Sequence, residues 1–223
     1  ACFADLFLLE FDNNCSSIKA GNLCRIIRHC AHNPVLAPAF QTQECIDKLI
    51  PFTLATENEK TPDDRYLRNM LWYAFSASAS KDTYVFMRKI VPLALTILTE
   101  RPFDAILPYH IFCLDFIGKM IGFDSLHVQD FRDRGVGHLI SNLIVKFPDS
   151  TNMQGAIFRF IVNAVKWPNY CTQLFDEILD TIVTEAYSTY RAASKVNCKL
   201  LLLQISNGEI KSSVAKKILK QRE

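Results

Sequence analysis

Four segments of this chain align with one another: KLIPFTL (48–54), KIVPLAL (89–95), HLISNLI (138–144) and EILDTIV (177–183), at successive offsets of 41, 49 and 39 residues. Each is followed by a polar break and then by a greasier run: NMLWYAFSA (69–77), IFCLDFIGKM (111–120), AIFRFIVNAV (156–165) and VNCKLLLLQI (196–205). GNLCRIIRHC (21–30), behind DLFLLEF, reads as a preceding, partly truncated unit. Self-similarity of this kind constrains a fold more than any single motif, because a unit that cannot bury both faces alone must stack on its copies. Within the runs, apolar residues recur at i, i+3, i+4 and i+7, the spacing of one helix face. No stretch alternates as a strand would, and 7 Gly stand against 16 Phe. The expected fold is all-α: helix hairpins stacked into an α-solenoid. It fills a single domain, 1–223, of four to five units with the terminal ones truncated.

The polar breaks carry helix-start chemistry. Thr61-Pro62-Asp63, Ser80-Lys81-Asp82 and Asp149-Ser150 all offer side-chain oxygens for N-caps. The longest break, TENEKTPDD (56–64), reads as an exposed loop rather than a domain boundary. No run approaches the roughly 20 apolar residues of a membrane span. The chain opens at Ala1 with no basic-then-apolar leader pattern, and the absent Met points to a trimmed or partial chain.

Charge and cysteine usage remove several function classes. A formal net charge of +2 is far from the strongly basic profile of a nucleic-acid binder. The eight cysteines (2, 15, 24, 30, 45, 113, 171, 198) form no CxxC pair, which sets aside zinc ribbons and thioredoxin-type redox motifs. Cys24, Cys113 and Cys198 sit among Leu, Ile or Phe, where a free thiol behaves as a small hydrophobe. A reducing compartment follows, cytoplasmic with the nucleus also open. Cys24, His29, Cys30 and His32 hold metal-capable atoms, but their spacing matches no zinc pattern and uses both faces of one helix. No family signature of a nucleophile surrounds any Cys. Asp63-Asp64 and Asp130/Asp133 lie beside Arg65, Arg132 and Arg134 and read as solvated ion pairs. Gly135-Val136-Gly137 is too short for a phosphate loop. The residues compose no catalytic constellation. The expectation is a non-enzyme without cofactor, metal or small-molecule substrate, binding neither nucleic acid nor membrane.

What the greasy second helices keep polar is more informative. Each carries a narrow stripe at i, i+4: Arg25 and His29, Trp72 and Ser76, Asp115 and Lys119, Arg159 and Asn163, with Lys199 continuing the row. Corresponding positions of stacked repeats lie side by side, so these eight residues are expected to form one continuous polar ladder that binds a protein. The tail EIKSSVAKKILKQRE (209–223) is a basic amphipathic helix, read as a closing helix docking Ile210, Val214 and Ile218.

A hairpin period near 40 residues resembles the armadillo and HEAT repeats, whose units run about 40–47 residues. That resemblance implies that the last helix of each unit lines a concave groove, where the ladder would meet its partner. Near the N-terminus, DLFLLEFDNN (5–14) and FQTQECIDKLI with ATENEK (40–50 and 55–60) are similar to segments of the SAPS-domain phosphatase-associated proteins. Cys15-Ser16-Ser17 departs from that family's pattern, which has an aromatic, Leu and His there. The resemblance implies an all-helical regulatory or scaffold subunit of a type-2A-like Ser/Thr phosphatase, with the catalytic subunit as partner. An importin-like adaptor for extended basic peptides is the alternative. It expects an acidic groove with regular Trp and Asn, which only Trp72 and Asn163 fit.

Overall fold

Helix starts are written into this chain as capping chemistry. The computed structural model, which describes residues 10, 15–33, 35–55, 61–100, 108–124, 127–147, 149–164 and 167, shows that chemistry in use. Ser16 accepts from the Lys19 backbone N–H at 3.3 Å and opens α1 (Ser17–Ala31). A short α2 (Ala37–Phe40) leads to α3 (Gln43–Ala55). Thr61 and Asp64 form a reciprocal capping box, with Pro62 in the first turn, at the start of α4 (Pro62–Ser78). Next come α5 (Tyr84–Met87), a 3-10 turn (Arg88–Ile90) and α6 (Val91–Glu100). Pro92 has no N–H for the Arg88 carbonyl, which accounts for the change of helix type at that point. α7 (Pro108–Phe123), α8 (His127–Asp133), α9 (Val136–Lys146) and α10 (Thr151–Ala164) complete the described order.

No strand occurs among the described residues, and the chain is all-helical there, as the apolar period demands. The aligned runs fall inside helices, 48–54 in α3, 69–77 in α4, 111–120 in α7, 138–144 in α9 and 156–164 in α10, except that 89–95 runs from the 3-10 turn into α6. Three short helices, α2, α5 and α8, add to the expected pairs. The segments 177–183 and 196–205, Lys199 and the tail 209–223 lie outside the described residues.

The described residues group into two compact units. The first holds those up to Ala94 together with 108–116; the second holds 95–100 together with those from Ile117 onward. In the first unit, α1 packs along α4 and both run the same way. Ser17 Oγ donates to Asp64 Oδ1 at 2.9 Å, Tyr66 OH donates to Asn22 Oδ1 at 3.0 Å, and Arg28 sits 3.6 Å over the Tyr73 ring. The contacts advance together along both helices, so the pair is parallel. α4 and the start of α7 repeat the arrangement. Asn69 Oδ1 accepts from the Tyr109 N–H at 3.1 Å, and Ser76 Oγ donates to Asp115 Oδ2 at 2.6 Å. The polar partners are 47 and 44 residues apart in the first pair and 40 and 39 in the second. Lys89 of the 3-10 turn pairs with Asp47 of α3, 42 residues away. Parallel neighbours need a return segment between them, which α2–α3 and α5–α6 supply.

The core of this unit centres on Trp72, edge-on to Phe75 at 5.6 Å and to Phe116 at 6.0 Å between ring centres. Ile27, Ile46, Leu49 and Leu71 of the same unit are fully buried as well. Each such aliphatic side chain contributes roughly 1.5–3 kcal/mol by leaving water.

In the second unit, residues 117–123 of α7 lie along α10. A Cβ added at Gly118 would stand 3.0 Å from Phe160 Cα, and one at Gly122 2.9 Å from Asn163 Oδ1. Only a hydrogen side chain lets the two backbones approach this closely. Gly118 meets Phe160 and Gly122 meets Asn163, so this pair is parallel as well. Phe131 of α8 stacks on Phe160 at 6.2 Å, and Trp167 Nε1 donates to the Ile121 carbonyl at 2.8 Å. Gly135, at φ +69°, turns the chain from α8 into α9 in the left-handed region, where any side chain would be strained.

Candidate protein-binding surface

The eight residues of the expected ladder have different fates. Arg25 and His29 are exposed on α1, as expected of a surface row. Trp72 and Ser76 are corrections: they are only 1 % and 3 % exposed. The reason is geometric. α4 has a parallel neighbour on each side, α1 and α7, so the indole enters the space between helices rather than facing water. Ser76 spends its hydroxyl on Asp115 in the same interior layer. Asp115 is half-buried as that acceptor. In the second unit, Lys119 is half-buried, Arg159 is exposed, and Asn163 is half-buried against Gly122. The expected row is thus not one stripe of surface side chains: Trp72 and Ser76 leave it.

A different row runs across the first unit. The guanidinium of Arg28 lies 3.6 Å over the centre of the Tyr73 ring, and Tyr73 stacks on Phe112 at 4.3 Å with 13° between the planes. Both faces of Tyr73 are therefore covered, one by a cation and one by an arene. All three side chains are half-exposed, one each from α1, α4 and α7. A cation over an aromatic face contributes about 0.5–1 kcal/mol at a solvated site, and a stacked aromatic pair about 0.5–1.5 kcal/mol beyond its burial. On α1 the stack is accompanied by exposed Arg25 and His29.

Below it, Arg68 is buried and lies 4.4 Å over the Tyr109 ring, beside Asn69. Asn69 caps α7 from a neighbouring helix by taking the Tyr109 N–H, one of the orphan donors of a helix start. These groups fix the register between α4 and α7.

Sequence reasoning missed Arg28, Tyr73 and Phe112. The expected ladder takes one pair per helix at i, i+4, and on α4 it takes Trp72 rather than its neighbour Tyr73. One residue is a 100° rotation about a helix, enough to exchange inside and outside. The spacing from Arg28 to Tyr73 is 45 residues and from Tyr73 to Phe112 39, near the repeat period without repeating one value.

The described cysteines, Cys15, Cys24, Cys30, Cys45 and Cys113, are free thiols, and positions 2, 171 and 198 lie outside the described residues. Burial pushes Cys24 and Cys113 well above the usual thiol range, and it pushes Cys45 up to about 12. Thiols held protonated in this way are poor nucleophiles and poor metal ligands. Among the described residues, no group of three or more His, Cys, Asp or Glu is placed to hold a metal ion. No described helix is long and apolar enough to cross a membrane. Elsewhere in the unit, the Lys89 ammonium holds the Asp47 carboxyl below the usual range, helped by Gln43.

In comparison with known proteins, no family model, curated protein or solved structure matches this chain.

Proposed function

We propose that this protein is an α-solenoid scaffold: a non-enzymatic helical-repeat protein that binds another protein through the face of its second helices. The observation that carries the reading is the recurrence of parallel helix pairs. Equivalent second helices meet in register at polar contacts 39 to 47 residues apart, as stacked copies of one hairpin would. Such folds use extended surfaces built from corresponding positions, and the Arg28–Tyr73–Phe112 stack is a row of that kind. Aromatic and arginine side chains are also the commonest binding hot spots.

The resemblance of residues 5–14 and 40–60 to SAPS-domain proteins makes the catalytic subunit of a type-2A-like Ser/Thr phosphatase the first partner to test. Basic cargo fits less well, because α1 exposes Lys19 and Arg25 and contains no acidic residue. Affinity purification of the tagged chain from lysate, read by mass spectrometry, decides between them. Recovery of a phosphatase catalytic subunit, lost in a Tyr73→Ala variant that still folds, is the expected result. Recovery of basic cargo alone sinks the phosphatase partner, and recovery of no protein at all sinks the scaffold reading.

A further inference from the structure

The two ends of α1 treat their cations differently. Lys19, near the start, is matched by Glu10. The last two turns carry Arg25, Arg28 and His29, with His32 just beyond, and α1 contains no acidic residue. Among the described residues no ion pair reaches Arg25 or Arg28. Three carboxylates elsewhere in the unit are engaged: Asp47 by Lys89, Asp64 by Ser17 and Asp115 by Ser76. The negative end of the helix dipole explains a cation at Arg28 and His29, in the last turn, but not Arg25 one turn earlier.

Arg28 is also pre-set. Its guanidinium is held face-on by Tyr73, which Phe112 supports from behind. Stacking by the face leaves the N–H groups in plane at the edge, and of the Arg28 nitrogens only Nε is buried without a partner. That edge is the geometry that grips a carboxylate through two parallel N–H···O bonds. Because the stack already orders the side chain, less rotamer freedom remains to be lost on binding.

We propose that this face of the first unit binds an acidic linear segment of a partner protein. One carboxylate seats on Arg28 between Arg25 and His29, and a neighbouring apolar side chain of the segment lies against the open edges of Tyr73 and Phe112. The proposal rests on the protein-interaction reading above and names the chemistry of the partner. A single-stranded nucleic acid is the weaker fit. Both faces of Tyr73 are taken, so no base stacks there, and in this row only α1 supplies exposed cations.

The test is fluorescence anisotropy with the full chain and two labelled synthetic peptides. In one, Asp and Glu surround a single Phe; in the other, Asn and Gln replace them. The acidic peptide is expected to bind about tenfold or more tighter than its amide counterpart, and Arg28→Ala to lose about that factor. Since Arg28→Ala also unsupports Tyr73, Arg25→Glu provides the second variant. Arg25 is exposed and makes no ion pair among the described residues, so that variant is expected to melt like the parent and still bind at least tenfold more weakly. Equal binding of the two peptides, or parental affinity in both variants, overturns the proposal. Displacement of the acidic peptide by single-stranded RNA or by phosphatidylserine vesicles at lower concentration than by unlabelled peptide overturns it too. Partner recovery from lysate that ignores both variants removes this face while leaving the scaffold reading standing.

Discussion

α1 and α4 are neighbouring, parallel helices of one unit, and each carries a polar or aromatic pair at i, i+4 in an apolar run. On α1 the pair, Arg25 and His29, faces water; on α4 the pair, Trp72 and Ser76, is buried. Residue type does not explain the difference fully, since Ser is as polar as His is. Neighbours explain it. α4 is flanked by α1 on one side and by α7 on the other, whereas the extensive packing of α1 is along α4. A second helix with two partners has only a narrow open arc, and on α4 that arc falls at Tyr73 rather than at Trp72.

The largest effect that tests this contrast is Trp72→Ala. Removing a fully buried indole from between Phe75 and Phe116 leaves a cavity, and truncations of this kind cost about 3–5 kcal/mol. That is a large fraction of the stability of a domain. Chemical denaturation followed by circular dichroism is expected to show a midpoint shifted far down, with helicity before the transition unchanged. A midpoint close to that of the parent breaks the comparison, since the indole would then be outside the core.

A second, smaller effect separates the inner and outer faces of the same elements. Cys24 on α1 and Cys45 on α3 face inward, while Cys15, just before α1, is half-exposed. Cys45 titrates at about 12 because burial disfavours its thiolate, against a reference of 9.0 when exposed. Between those values the folded chain holds a proton that the unfolded chain has lost. The contribution is therefore intact below pH about 9 and falls as pH rises, by about 1.4 kcal/mol per pH unit for each such thiol. Denaturation midpoints measured from pH 8 upward are expected to decline, and less so in Cys45→Ala relative to its own value at pH 8. Native thiol labelling at neutral pH should modify Cys15 and spare Cys24, Cys45 and Cys113. Rapid labelling of the latter three would show that the inward faces are open.

The helices themselves were legible in the sequence because periodicity and caps are local. The run 69–77 lies inside α4, and Thr61-Pro62-Asp63 starts that helix through Thr61 and Asp64. Pairing was half legible: a period near 40 anticipates that Asn69 meets Tyr109 and Ser76 meets Asp115. Which side chains remain exposed was not, because exposure depends on how each helix is rotated against two neighbours at once. A period near 40 residues leaves the register of each helix open by a residue or more, and each residue turns a helix by about 100°. The ladder therefore received Trp72 in place of Tyr73. It also received Ser76 as a surface group, although its hydroxyl is committed to Asp115. The short helices α5 and α8 were missed because four to seven residues carry too little periodicity to register.

The smallest expected effect is the most discriminating counterpart to Trp72→Ala. Arg25 is exposed on α1 and makes no ion pair among the described residues. Arg→Ala there removes no buried area of consequence, leaves no polar group stranded and keeps a good helix former in place. Surface changes of this sort stay within about ±0.5 kcal/mol. The same substitution removes one of the cations that nothing in α1 neutralises, which lowers self-repulsion between Arg25 and Arg28 at i, i+3. Arg25→Ala is therefore expected to leave the denaturation midpoint where it is, or to raise it slightly at low salt and not at high salt, where screening removes the repulsion. A clear loss of stability, insensitive to salt, would mean that Arg25 is packed as Trp72 is, and the contrast between α1 and α4 would collapse.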